Sequence, residues 1–331
     1  MAIDLLALKP HKVSRDLTGY ITYIYGEPKS GKTTLAMQMG NALLLAFERG
    51  YNALPGVIAQ DITSWSDLKA VVRELKKEEV QKTFRAVVVD TVDIAGLLCE
   101  KFICNQNGVD KITAIPYGQG WSAMRREFES TFRTITQLGY ALFFISHCKD
   151  KTFKNQNGEE YNQIIPTCST TCNEIVKGMA DIYAFAQKYV EKDSGIAKVK
   201  LVLRSQDNSA DTGCRFKYIA SEIPMSYQDL VNALNEAIDK EAEATGGEFV
   251  TTERNIGPTA DTPELLDYDS LIQQFNDIAA NVMAKDPSQQ SRIVFVVEKY
   301  LGVGKKVSES SYAQVELIKL IVDELKDIYK M

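Results

Sequence analysis

Apolar residues fall along this chain in two rhythms. Short, largely apolar runs, each giving way abruptly to polar residues, occupy positions 20–25 (YITYIY, interrupted only by Thr22), 42–47 (ALLLAF), 86–89 (AVVV) and 139–146 (GYALFFIS). Runs of this kind mark strands covered on both faces, as in a parallel sheet. Between them lie stretches of helical period. Residues 65–80 form one; in residues 122–138, Met124, Phe128, Phe132, Ile135 and Leu138 recur at helical spacing. Residues 181–190 and 197–204 read as two later strands in a hairpin. Strands alternating with helices predict an α/β core, with a mostly parallel sheet and helices on both faces.

The pattern changes after about residue 225. Residues 227–244 predict a helix, residues 247–270 a polar, turn-rich linker, and residues 271–283 another helix. The apolar run 292–302 is β-branched at its start and fits a helix or a strand. Residues 311–330 form a clear amphipathic helix. The expected organisation is therefore a core over residues 1–225 and a smaller, mostly helical C-terminal unit over 226–331. A length of 331 residues accommodates both.

Composition narrows the class. Hydrophobic residues at 45% and charged residues at 25% are ordinary for a soluble globular protein. Neither an apolar run of membrane-spanning length nor a signal peptide is expected, which points to a cytoplasmic location, the host cytoplasm if the chain is phage-encoded. The six cysteines read as reduced thiols. Cys148, Cys168 and Cys172 with His147 lack the repeated close pairs of a zinc site. The net charge of −6 argues against tight nonspecific nucleic-acid binding by the whole surface, but leaves room for a local basic groove.

The strongest chemistry lies in residues 26–34, GEPKSGKTT. This stretch satisfies GxxxxGKT in full, between a strand and a helix. Gly26 and Gly31 permit the tight turn that points amides inward, and Glu27, Pro28, Lys29 and Ser30 form the loop between them. Lys32 is expected to reach the β- and γ-phosphates of ATP, Thr33 to ligate Mg²⁺, and Thr34 to line the site. Asp90 ends the AVVV run and is the candidate second Mg²⁺ ligand, at the strand edge where ligands bind in such sheets. Thr91 and Asp93 follow it closely. His147 ends the next strand and reads either as a buried histidine or as a sensor of the γ-phosphate or attacking water. Glu48 is the first candidate for the base that orients that water, with Glu27 and Glu100 behind it.

Two segments carry an NQNG turn: residues 104–120, with Tyr117 and Trp121 nearby, and residues 149–167, with Lys149, Lys151, Phe153, Lys154 and Tyr161. Lysines among aromatics suit single-stranded nucleic acid, and suit a solvated hairpin or a subunit contact equally. Arg204 and Arg215 bracket a polar turn and read either as surface arginines or as groups reaching a neighbouring subunit's ATP.

The loop, the VVVD strand, the FFISH strand and the late arginines together resemble the RecA-like P-loop ATPases. Within them the chain is most similar to phage single-strand annealing and recombination proteins built on a RecA-like core, grouped among AAA-family ATP-binding proteins. The resemblance covers about residues 18–225. It implies ATP bound at residues 26–34 with Lys32 and Thr33, a metal-binding Asp90, and His147 where relatives often carry Gln. It also implies DNA-contacting NQNG loops and arginines (Arg204, Arg215) that act on a neighbour's ATP. The implied partners are further copies of the chain in a ring or filament, single-stranded DNA and a single-strand DNA-binding protein, with no membrane. The expected function is a single-stranded-DNA-dependent ATPase of phage recombination, annealing or repair. The alternatives are a helicase or helicase-loader motor, or a nucleotide-regulated DNA-binding module with little turnover.

Overall fold

The computed structural model describes residues 10–155, 157–246, 249–254 and 267–330. The first nine residues, Gln156 in the second NQNG turn, and most of the expected linker (247–248 and 255–266) lie outside the described residues. The chain divides into two compact units, Met1–Pro258 and Thr259–Met331.

In chain order the first unit contains β1 (Val13–Ser14), β2 (Thr22–Gly26), α1 (Lys32–Met37), β3 (Ala42–Ala46), β4 (Ala59–Asp61), α2 (Trp65–Glu74) and α3 (Glu78–Thr83). Next come β5 (Ala86–Asp90), α4 (Val92–Gln106), α5 (Gln119–Gln137), β6 (Ala141–Ser146), β7 (Cys148–Lys154), β8 (Glu160–Pro166) and α6 (Thr170–Met179). It closes with β9 (Ile182–Val190), β10 (Ala197–Val202), β11 (Gly213–Cys214), β12 (Glu222–Pro224), α7 (Tyr227–Thr245) and β13 (Val250–Thr251).

The main sheet has the order β12-β10-β9-β2-β6-β5-β3-β4, with β11 paired to β9. Strands β9, β2, β6, β5, β3 and β4 run parallel; β10 returns antiparallel beside β9. The apolar runs are buried throughout in β2, β3, β5 and β6, because both faces are covered. One face packs Ile24, Val88, Phe143 and Ala184 with Leu35 of α1 and with Leu230 and Leu234 of α7. The other face is aromatic. Phe132 of α5 meets Phe144 edge-on at 5.2 Å, and Tyr23 stacks on Tyr183 at 5.0 Å.

Three local outcomes go beyond what the sequence pattern decides. The helix expected over residues 65–80 divides into α2 and α3, with Leu75 fully buried at the break and its carbonyl accepting a hydrogen bond from the Tyr140 hydroxyl. Of the readings open for residues 149–167 the hairpin is the one seen: β7 and β8 pair antiparallel, with Cys148 opposite Pro166 and Lys154 opposite Glu160. Helix α7, expected with the C-terminal region, buries Leu230, Ala233, Leu234, Ala237 and Ile238 in the core of the first unit.

The second unit contains α8 (Tyr268–Lys285), α9 (Gln290–Leu301) and α10 (Val315–Tyr329). Its core joins Ile278 and Val282 to Ile293, Val296 and Val297, and to Ile318, Ile321, Val322 and Leu325. The β-branched run at 292–302 is thus helical. Ile293, Val296 and Val297 lie on the buried stripe while Val294 is exposed, and tertiary packing of the buried three outweighs a propensity difference of about a few tenths of a kcal/mol per residue.

Candidate functional site

Because the central strands run parallel, their carboxyl ends share one edge of the sheet. Register sets Tyr25 beside Ser146, Asp90 beside Ile145, and Ala46 beside Asp90. Strand β6 lies between the loop-bearing β2 and the Asp90-bearing β5, so His147 emerges between them. Beyond β3, the amides of Phe47 and Glu48 both donate to the Asp90 carbonyl, at 2.8 and 3.2 Å. That brings Glu48 to the same edge.

The loop closes tightly where β2 meets β9. A Cβ on Gly26 would lie 2.6 Å from the Ala186 carbonyl oxygen, so only glycine fits there. Gly31 sits at φ 88° and leads into α1, whose start has no side-chain cap. Lys32 is buried, and its ammonium donates to the carbonyls of Gly26 and Glu27, at 2.9 and 2.7 Å, and to Ser30 Oγ at 3.3 Å. Burial lowers its pKa, with the Asp90 charge opposing.

The Thr33 hydroxyl donates to Asp90 Oδ2 at 2.7 Å, so the two expected Mg²⁺ ligands already touch. Asp90 is only 7% exposed, and burial raises its carboxyl above the ordinary range; Glu48 adds to the rise and the Thr33 hydrogen bond opposes it. Two hard oxygen donors, with no cluster of three or more metal-ligating side chains among the described residues, suit a cation completed by phosphate oxygens and water.

A second chain of contacts runs beside this pair. Thr91 Oγ1 donates to Glu48 Oε1 at 2.7 Å, and Glu48 Oε2 lies 3.4 Å from His147 Nε2. His147 Nδ1 is buried and lacks a partner. Its backbone amide reaches Asp93 at 3.4 Å, and the Asp93 carboxylate also accepts from the Thr167 hydroxyl. Lys32, Thr33, Glu48, Asp90 and His147 therefore converge. Glu100 does not. It lies eight residues along α4 from Val92, about 12 Å along the helix axis. Arg204 and Arg215 also lie elsewhere. Arg204 donates to the carbonyls of Phe216 and Cys214, at 2.6 and 3.4 Å. Arg215 pairs with Asp181 at 3.1 Å, just before the first residue of β9 and so at the opposite edge of the sheet. The thiols of Cys168 and Cys172 are buried and pushed up to about 12 and about 11, so they pack as neutral groups.

The β7–β8 hairpin begins one residue after His147. Its register and pleat put Lys149, Lys151 and Phe153 on one face with Tyr161, Gln163 and Ile165. Phe153 stacks on Tyr161 at 5.7 Å, with the Lys151 ammonium 4.8 Å from the Phe153 ring centre. Lys154 is on the other face and pairs with Glu160 at 3.2 Å. The first NQNG turn ends α4, and Tyr117 beyond it is 97% exposed.

Two residues that brace the candidate site were not anticipated from the sequence. Lys188 donates to Glu27 Oε2 at 2.8 Å and to the Pro28 carbonyl at 3.2 Å. Tyr25, one residue before the loop, hydrogen-bonds through its hydroxyl to the carbonyls of Ile164 and Asp211, at 2.9 and 2.8 Å, tying the hairpin base to β2. Both contacts span more than a hundred residues, beyond the reach of motif or period.

A glycine loop closing onto a buried lysine, and a threonine–aspartate pair at the carboxyl edge of a parallel sheet, define a P-loop nucleotide-binding protein. The chain belongs to the family described as AAA domain, whose model matches residues 18–243. It is also 28% identical over 337 residues to the SPbeta prophage-derived uncharacterized protein YorG of Bacillus subtilis (strain 168), with 99% of each chain covered. ATP binding in general is what the loop, the fold and the family share. No helix among the described residues is long and apolar enough to cross a membrane.

Proposed function

We propose that this chain is a Mg²⁺-dependent ATPase stimulated by single-stranded DNA, acting in phage DNA recombination, annealing or repair as an oligomer with a RecA-like core. The observation that carries the reading is one continuous arrangement. The phosphate loop, Asp90, Glu48 and His147 share an edge, and the chain runs from His147 directly into a hairpin with lysines and stacked aromatics on one face. A prophage-derived relative of nearly the same length supports the phage setting.

In this reading Thr33 and Asp90 hold Mg²⁺, which when bound neutralises charge on the β- and γ-phosphate oxygens. Lys32 leaves the loop carbonyls for the phosphates and stabilises negative charge as the γ-phosphoryl group transfers. Glu48, steadied by Thr91, orients the attacking water and accepts its proton. His147 touches Glu48 on one side and leads into the hairpin on the other. Lys149, Lys151, Phe153 and Tyr161 contact DNA by phosphate pairing and base stacking. Arg204 or Arg215 acts on the ATP of a neighbouring copy, since both are held away from their own loop.

The test is steady-state ATP turnover with and without single-stranded DNA. Stimulation of about tenfold or more, abolished by Lys32→Ala, is the expected outcome, at the scale of one properly placed charged group. Tight ATP binding with no DNA-dependent turnover would replace this reading with the nucleotide-regulated module.

A further inference from the structure

Two lysines from different elements reach oxygens of the phosphate loop, and the motif accounts for only one. Lys32 enters from α1. Lys188 enters from β9, which overshoots its neighbour: Gly26 pairs with Ala186, and the strand continues to Val190. Lys188 is two residues past that level, on the same face as Ala186, about 7 Å further along the strand. It therefore stands over the loop.

Each ammonium rests on loop oxygens. Lys32 holds the carbonyls of Gly26 and Glu27, while Lys188 holds the Glu27 carboxylate and the Pro28 carbonyl. The Lys188 charge is also close enough to act against the protonated form of Lys32, behind the larger effect of burial. Glu27 is an anion inside a loop that must admit a polyanion, a placement that needs a nearby cation. The Lys188–Glu27 pair is 40% and 54% exposed, so water solvates both groups if they part and the pair is cheap to open.

We propose that Lys188 is a second phosphate-contacting cation of this chain's own nucleotide site, parked on Glu27 without nucleotide and transferred to the terminal phosphate of a bound triphosphate. It thereby sets the preference for ATP over ADP. The proposal rests on the ATP-site reading above and adds a specificity-determining residue to it. The transfer exchanges one ion pair for another and involves no covalent change. Its driving force is the higher charge of a terminal phosphate relative to a single carboxylate.

The experiment is equilibrium binding of fluorescent ATP and ADP analogues to the full chain, with thermal melts to confirm folding. Lys32→Ala must first abolish binding of both nucleotides; if it does not, the site reading itself fails and the Lys188 arms are not at issue. Lys188→Met should weaken ATP about tenfold and ADP about twofold at most, the size of one charge-assisted hydrogen bond at a half-exposed position. Lys188→Arg should retain most of the preference. Glu27→Gln, which frees Lys188, should tighten ATP. The decisive arm is Glu27→Gln combined with Lys188→Met. If Lys188 touches phosphate, ATP stays weak in the double variant. Recovery of wild-type ATP affinity there would mean that Lys188 only neutralises Glu27, and would overturn the proposal. Equal weakening of ATP and ADP by Lys188→Met, or no change in either, would overturn it as well.

Discussion

Replacing Glu48 by Gln separates folding from chemistry at this site. Gln keeps the shape and an amide oxygen able to accept from Thr91 Oγ1, which the carboxylate now does at 2.7 Å. What it loses is the negative charge facing His147 Nε2 at 3.4 Å. With side chains 31% and 38% exposed, that contact contributes no more than about 1 kcal/mol to stability. The loss of a positioned general base costs far more, about 10²- to 10⁴-fold in rate, or roughly 3–5 kcal/mol of barrier. The chemical effect therefore exceeds the structural one severalfold. The variant should melt within a few degrees of the parent, bind ATP within about threefold, and release phosphate at least about a hundredfold more slowly in single turnover. Turnover within threefold of the parent would refute the assignment and move the base elsewhere. Glu27→Gln is the informative companion, because Glu27 is paired with Lys188 and should not reduce the chemical rate.

Three other outcomes follow from the geometry. Burial raises the Asp90 carboxyl, so the nucleotide-free fold favours its protonated form; that stability is present below the ordinary Asp value of 3.8 and is lost as pH rises through the raised value. Asp90→Asn should therefore raise the melting temperature of the nucleotide-free protein at pH 8, with the gain fading as pH falls toward 3.8, while abolishing Mg²⁺-dependent turnover; a lower melting temperature at pH 8 would contradict this. Changing Lys149 and Lys151 to Gln with Phe153 to Ala should weaken single-stranded DNA binding about tenfold or more and reduce the salt slope by about 1.4, whereas Lys154→Gln, already paired across the hairpin, should do little; anisotropy titrations across salt concentrations decide it. Arg254 donates to the carbonyls of Thr18, Arg85 and Gly139 at 2.9, 2.6 and 2.6 Å, so Arg254→Met should cost about 2–4 kcal/mol, read as a lower urea midpoint, with ATP affinity unchanged.

The fold was legible wherever burial is uniform. Strands β2, β3, β5 and β6 lie under helices on both faces, so each appears in sequence as a largely apolar run with a polar end. Hairpin β7–β8 is exposed along most of β7, only partly buried along β8, and keeps polar residues on both faces, which erases the alternation that marks a strand. Helix α7 shows an apolar stripe of ordinary width, and such a stripe does not say which core it joins. The partners that claim it, Ile24 and Leu44 among them, are about two hundred positions away in the chain.

The meeting point of the candidate site residues was legible for a related reason. A parallel sheet converts a local property, being the polar residue at the end of an apolar run, into a shared position in space. Asp90, Glu48 and His147 were all chosen as candidates by that rule, and contacts among Thr33, Asp90, Thr91, Glu48 and His147 show that it brings them together. Lys188 escapes the rule because β9 does not stop at the common edge. Its apolar residues end at Ala186, level with Gly26, but the strand continues as Gln187, Lys188, Tyr189 and Val190. In sequence that reads as a strand losing its burial pattern. In space it carries a cation past the edge and over the loop. Where a neighbour of the phosphate-loop strand runs on beyond the loop's first glycine, the polar residues after its last buried position therefore become candidates for the site, although no spacing motif contains them.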